Sequence, residues 1–302
     1  MIDITFADYI DVKALFEKYG FKRTRNDIFR IGYDGKIYIL PEPRFIDNNR
    51  ERFSVIVLYV DWDSEKLIDS SCYDLGEFDH GYYHIQPIGK TLLMVNCRCS
   101  YNNGNPDKNA FIISPAGEVL NRFCLGDGIR DVFVRPDNMI VTSYFDEGIY
   151  GNFGWGDADS ELPIGCHGLI VWNSKGEQQF HAEHNISDCY ALNVDEKGNI
   201  WYYYNDDFKL VCLNETGEID FDPGIEGAHF FVLTEDCQKV IFNSEYNGIY
   251  EVFNLHKNDK NGKLRLLYKE DELLITKHRA YGAKALFIDN KNRMFVKRFI
   301  QL

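Results

Sequence analysis

Long apolar runs are missing from this chain. No stretch approaches the roughly eighteen residues that cross a bilayer, and no apolar segment follows the starting Met. A soluble, cytoplasmic protein with no membrane partner is therefore expected. Nothing resembles a Pro/Ser-rich linker or a low-complexity tract, which points to one domain over residues 1–302. The eight cysteines include no CxxC pair, and several sit inside apolar runs, as at Val211-Cys212-Leu213. Such positions suit reduced thiols in a cytosol. Cys97 and Cys99 are the one close pair and read as core or surface thiols before a soft-metal site. Basic charge is also short, with 33 Lys and Arg against 47 Asp and Glu, a net of −14. Nucleic acid is not an expected partner, because binding a polyphosphate depends on neutralising it with Lys and Arg. Catalytic signatures are absent too: no GxSxG elbow, HExxH, phosphate-cradling Gly loop or dinucleotide fingerprint occurs. His181 and His184 follow a turn and read as surface residues. Cys166 and His167 are adjacent, a spacing that rarely lets one side chain activate the other.

What the chain does contain is a repeat. An apolar strand, a polar turn and a second apolar pair recur as Ile31-Gly-Tyr-Asp-Gly-Lys-Ile37, Ile85-Gln-Pro-Ile-Gly-Lys-Thr91, Val134-Arg-Pro-Asp-Asn-Met139, Val194-Asp-Glu-Lys-Gly-Asn-Ile200, Leu233-Thr-Glu-Asp-Cys-Gln-Lys-Val240 and Ile288-Asp-Asn-Lys-Asn-Arg-Met294. A second set of hairpins, with turns such as Ser114-Pro-Ala-Gly117 and Asn173-Ser-Lys-Gly176, alternates with the first. Six inner and outer hairpins at a period of roughly fifty residues predict an all-β, six-bladed β-propeller with four-stranded antiparallel blades. The 22 Phe, 19 Tyr and 4 Trp fit this, since flat rings fill the wedge between twisted sheets. The last hairpin ends at Phe299, so the sixth blade needs strand from elsewhere. Ile2-Asp-Ile-Thr-Phe6 is predicted to supply it and close the ring. Apolar Ile10, Val12, Leu15 and Phe16 predict a short helix within 9–19 that plugs the ring.

In a propeller, the loops between blades and those between the second and third strands of a blade open on one face. Counting four residues back from each innermost strand end gives Asp27, Gly81, Arg130, Tyr190, His229 and Lys284, a ring of polar residues suited either to a site or to wet strand ends. The longest irregular insertion runs from 144 to 168 and carries Asp146, Glu147, Tyr150, Asn152, Trp155 and His167. Loops of that length are often functional. Rings beside carboxylates suit a sugar-like, cationic or peptide ligand; the same rings also make a local cluster folding the loop onto the ring. Asp188 and Asp207, on the fourth blade, reach the same mouth, with Asn205-Asp206-Asp207 readable as a Ca²⁺ ligand set or, preferably, as an ordinary turn.

Three blocks, Tyr144-Phe-Asp-Glu-Gly-Ile-Tyr-Gly-Asn-Phe-Gly-Trp155, Asp188-Cys-Tyr-Ala-Leu-Asn-Val194 and the Tyr-rich Trp201 to Phe208, resemble a family of uncharacterised bacterial proteins with the same blocks in the same order. The resemblance spans about residues 125 to 235 and implies a bacterial, propeller-like protein with a site in these blocks. The Asp-x-x-Gly-x-Ile-Trp turns are similar to those of regucalcin and gluconolactonase propellers. That likeness implies a divalent cation held by Glu, Asn and Asp from different blades, polarising a lactone carbonyl and orienting water. Asn152, Asp188 and Asp207 would be ligands, with Asp131 or Glu147 as base. The likeness stops at the turns, and Arg130 and Lys284 at the funnel disfavour a cation. The preferred expectation is a non-catalytic module, without cofactor, that binds a small molecule or protein through the funnel mouth and the 144–168 loop. A metal-dependent lactonase or esterase is the alternative.

Overall fold

The computed structural model describes residues 1–47, 49–157, 161–243 and 249–302. Its strands form a six-bladed β-propeller of four-stranded antiparallel blades. The innermost strands are Ile28–Ile31, Tyr83–Ile88, Ile129–Val134, Cys189–Val194, Phe231–Leu233 and Ile275–Tyr281, and they touch one another in turn around the axis. Among the described residues, no helix is long and apolar enough to cross a membrane.

Strand alternation explains how the ring holds together. Successive side chains of a strand point to opposite faces, so each blade faces two neighbours. In the fifth blade, Leu233, Val240 and Phe242 pack with Trp201, Tyr203 and Leu210 of the fourth. Their sequence neighbours Val232 and Ile241 pack instead with Ala285, Phe287 and Phe295 of the sixth. A one-residue slip would exchange these two interfaces. Between the first two blades, Phe53, Phe78, Tyr83 and Phe111 meet edge to face or tilted at 5.0 to 6.3 Å, and edge-to-face contact is an arrangement aromatic rings prefer.

The sixth blade differs from expectation in two ways. Its innermost strand is Ile275–Tyr281, so the hairpin at Asp289–Asn292 joins the second strand (Lys284–Asp289) to the third (Arg293–Arg298). The turn chemistry is the same as at an innermost hairpin. Asp289 Oδ1 accepts from the backbone N of Lys291 and Arg293 at 3.0 and 2.9 Å, as Asp195 Oδ1 does from Lys197 and Asn199 at 2.9 Å each. The true innermost turn is the tight Gly282-Ala283, where φ of +56° at Gly282 favours glycine.

The second difference is the closing strand. It is N-terminal, but it is Ile10–Asp11, antiparallel to Arg293 and Met294, that completes the sixth blade. Ile2–Phe6 lies parallel to Leu264–Tyr268 as a fifth strand on the neighbouring blade, held also by Asp3 and Arg265 at 2.9 Å. The helix Val12–Lys18 follows, capped by Asp11, whose Oδ1 accepts from Ala14 N at 3.0 Å. It buries Val12, Leu15 and Phe16.

Candidate functional site

Two polar regions are built on this frame. One is the central channel, where the innermost strands place Arg30, His84, Gln86, Asp131 and Arg279. Arg30 Nη2 donates to His84 Nδ1 at 2.6 Å and lies 3.2 Å from Asp131 Oδ1. Burial and the Arg30 charge push His84 down to about 3, so its ring is neutral at physiological pH. His278 is likewise pushed down to about 3, by burial and then by Arg279. Burial and Arg30 lower Arg279 to about 10. For Asp131 burial works upward, but Arg30, His84 and Arg279 outweigh it and hold the carboxylate below its ordinary range. Arg30 Nε, Arg279 Nε, His84 Nε2 and Gln86 Oε1 have no hydrogen-bond partner among the described residues. The cavity beside them measures about 30 Å³, room for one or two water molecules.

The loop face surrounds this channel. Bulges at Arg130 and Tyr190 add a residue to the third and fourth innermost strands, a device that re-aims a side chain. Arg130 donates to both oxygens of Asp188 at 2.9 and 2.7 Å, tying the third blade to the fourth, while its neighbour Asp131 joins the channel cluster. Tyr190 lies against His229, ring centroids 4.4 Å apart. Asp27 is wholly buried. It accepts from Arg23 Nη1 at 2.5 Å, Thr24 N at 2.6 Å and Glu42 N at 2.9 Å, stapling two loops of the first blade. Lys277, which stands where the repeat had suggested Lys284, donates to the carbonyls of Arg25 and Asp27 at 2.7 Å each. Lys284 is at the opposite mouth, paired with Glu196 at 2.6 Å, because the slipped sixth-blade hairpin turned its strand end for end.

The 144–168 insertion folds onto the second blade. Trp155 is 3% exposed, donates from Nε1 to the Cys99 carbonyl at 2.9 Å and packs on Tyr101 at 4.6 Å. It is therefore a structural anchor. Arg98 binds Asp127 at 2.9 Å and ion-pairs with Glu147, holding that carboxyl below its ordinary range through the hydrogen bond. Asp146 and Asn152 accept from the next backbone N, of Glu147 and Phe153, at 2.9 and 2.8 Å. Tyr150 donates to Ser187 Oγ at 2.7 Å, and Asp207 accepts from Tyr204 at 3.4 Å. Of the acids suggested as metal ligands or base, Asp131, Glu147 and Asp188 each face an arginine, whereas Asp207 faces Tyr204. Among the described residues no group of three or more His, Cys, Asp and Glu side chains is placed to hold a metal ion.

The second polar region is a recess of about 190 Å³ on the loop face between the first two blades. Phe45, Phe53, His80, Tyr82 and Tyr83 wall it, and Glu51 lines it. Phe45 and Tyr82 are 71% and 70% exposed, whereas Glu51 is 3% exposed. Arg50 and Arg52 flank Glu51 in sequence but alternate to the other face, where they pair with Glu77 and Asp74. His80 Nδ1 lies 3.0 Å from Glu51 Oε1, and Oε2 has no hydrogen-bond partner among the described residues. Glu51 and the channel residues other than Asp131 were not singled out from sequence. Their signal was a charged or amide side chain on the buried face of a strand: Arg30 within Ile-Phe-Arg-Ile, His84 and Gln86 within Tyr-His-Ile-Gln, Glu51 in phase with Phe53 and Val55.

No protein-family model matches this chain, and no curated protein does. Among solved structures it is similar to Hsv2 of Kluyveromyces marxianus, with TM-score 0.52 and 10% identity over 91% of this chain and 76% of that one. Hsv2 of Kluyveromyces lactis gives TM-score 0.52 and 12% identity, over 90% and 74%. At such identities the likeness is one of fold.

Proposed function

We propose that this protein is a non-catalytic binding module that engages a protein partner through its loop face, over the first three blades. The observation that carries the reading is the distribution of exposed apolar side chains. Of the exposed large apolar side chains, Phe45, Ile46, Tyr82, Tyr150, Phe153 and Leu162 stand on the segments that connect strands at this one face. Exposed aromatic side chains gathered on one face are what an interface uses, since each ring buries much area at little entropic cost. The ion pairs beneath support the same reading. Arg98 with Asp127 and Glu147, and Arg130 with Asp188, stiffen the loops and leave those carboxylates engaged, which suits a rigid docking surface better than acid–base or metal chemistry.

Selection of a displayed random-peptide library against the full-length protein tests this. Peptides enriched on the wild type are expected to be lost on a Tyr82→Asp/Tyr150→Asp variant and kept on Lys90→Glu, which alters an innermost turn at the opposite mouth. Enrichment that is indifferent to the loop-face variant would overturn the proposal.

A further inference from the structure

We infer that the recess between the first and second blades is a receptor for a lysine ammonium group carried by the protein partner. The inference rests on reading the loop face as the docking face and names the chemistry that one part of it selects.

The argument begins with Glu51. A carboxylate buried among rings is costly unless a cation and hydrogen-bond donors compensate it. The nearest guanidinium candidates in sequence, Arg50 and Arg52, are committed to Glu77 and Asp74 on the far side of the strand. What Glu51 has is a single imidazole contact, from His80, whose side chain is 60% exposed and stacks on Phe45 at the rim. The Oε2 atom is left without a donor. The walls supply the complement to a cation. Aromatic faces attract ammonium groups through their quadrupole, and Phe45, Tyr82 and Tyr83 line the recess. Glu42 adds a second carboxylate at the rim, accepting from Asn26 Nδ2 at 2.6 Å. A volume of about 190 Å³ admits the end of a long side chain and excludes a folded element.

The geometry favours lysine over arginine. A guanidinium gains most from a fork of two parallel hydrogen bonds to one carboxylate. Glu51 has Oε1 occupied by His80 and only Oε2 unengaged, which matches the point charge of an ammonium. The overall balance of −14 favours approach by a basic segment.

The test uses the full chain and three probes, N-acetyl-lysine methylamide, its neutral norleucine isostere and n-butylammonium, titrated by calorimetry and by protein NMR. The lysine derivative is expected to bind saturably and roughly tenfold tighter than norleucine, the scale of a partly desolvated cation–π site. Glu51→Gln should abolish that preference while melting close to wild type or higher. Equal binding of lysine and norleucine, or unchanged binding by Glu51→Gln, overturns the inference. So does binding of n-butylammonium without the lysine derivative, which would assign the recess to a free amine. Should Glu51→Gln fail to fold, Tyr82→Ala and Phe45→Ala, both at exposed positions, must each weaken lysine binding several-fold for the inference to stand. Library peptides that depend on the loop face yet ignore Glu51→Gln would sink the lysine receptor and leave the docking face intact. Lysine binding without any loop-face-dependent peptide would do the reverse.

Discussion

The central channel and the first-blade recess are both polar places inside an aromatic protein, and they differ in how their charges are answered. In the channel, charge is met from within: Arg30 has Asp131 and His84, and its remaining unmatched atoms adjoin a cavity of about 30 Å³, with room for only one or two water molecules. In the recess, Glu51 has one exposed imidazole, and the adjoining space is about 190 Å³. The contrast separates charge that belongs to the fold from charge that awaits a ligand. Unpaired polar atoms alone do not mark a binding site; the size of the space they face decides what answers them.

The comparison can be broken most severely at Asp131. Asp131→Ala would leave Arg30 and Arg279 facing each other without a carboxylate, and breaking a buried pair in this way costs about 3 kcal/mol or more. Denaturant unfolding should show that loss, with lysine binding by the folded protein unchanged. A variant as stable as wild type would mean the channel charges are not structural.

Acid should act on the channel next. His84 and His278 have folded pKa values of about 3, below the ordinary histidine value of 6.5. Between those pH values the unfolded chain binds protons that the native state refuses, so stability falls as pH drops from 6.5 toward 3. Melting temperature against pH should show this slope, and His84→Gln should flatten it. A slope unaltered in the variant would assign the acid sensitivity elsewhere.

The smallest change is expected in the recess. Glu51→Gln keeps the shape and removes a poorly compensated charge, so its stability should lie within about 1 kcal/mol of wild type or above it. A loss as large as that of Asp131→Ala would make Glu51 a structural residue like those of the channel, and would erase the distinction.

Much of the architecture was legible because propeller blades repeat their chemistry. Strand–turn–strand units around Gly35, Asn138 and Gly198, each with φ between +65° and +84°, mark three innermost hairpins. The same turn chemistry misled at Asp289, since an Asp that caps the following backbone N–H groups works equally well between second and third strands. One consequence was to set Lys284 at the wrong mouth. Ile2–Phe6 was expected in the sixth blade and Ile10 in the helix, and both were misplaced for a different reason: which sheet edge a strand joins is a tertiary fact, invisible to alternation. The loop residues Arg130, Asp188 and Glu147 were visible as charges, but their mutual pairing was not. Trp155 looked like a ligand platform and is instead buried by Tyr101 and Cys99, partners some fifty residues away. Glu51 escaped notice because it sits between two arginines in sequence, and only the strand's alternation parts it from them.

The N-terminal segment carries a consequence for the order of events during synthesis. Residues 2–6 pair with 264–268, and Ile10 and Asp11 with Met294 and Arg293, so these two strands wait until their distant partners have emerged. Blades whose four strands are contiguous can assemble as they appear, whereas the seam is bound to be the last and most entropically demanding step. Until then two sheet edges stand open to strands of other molecules. The nascent chain is thus most exposed to mispairing in the interval just before residues 293 and 294 reach their partners.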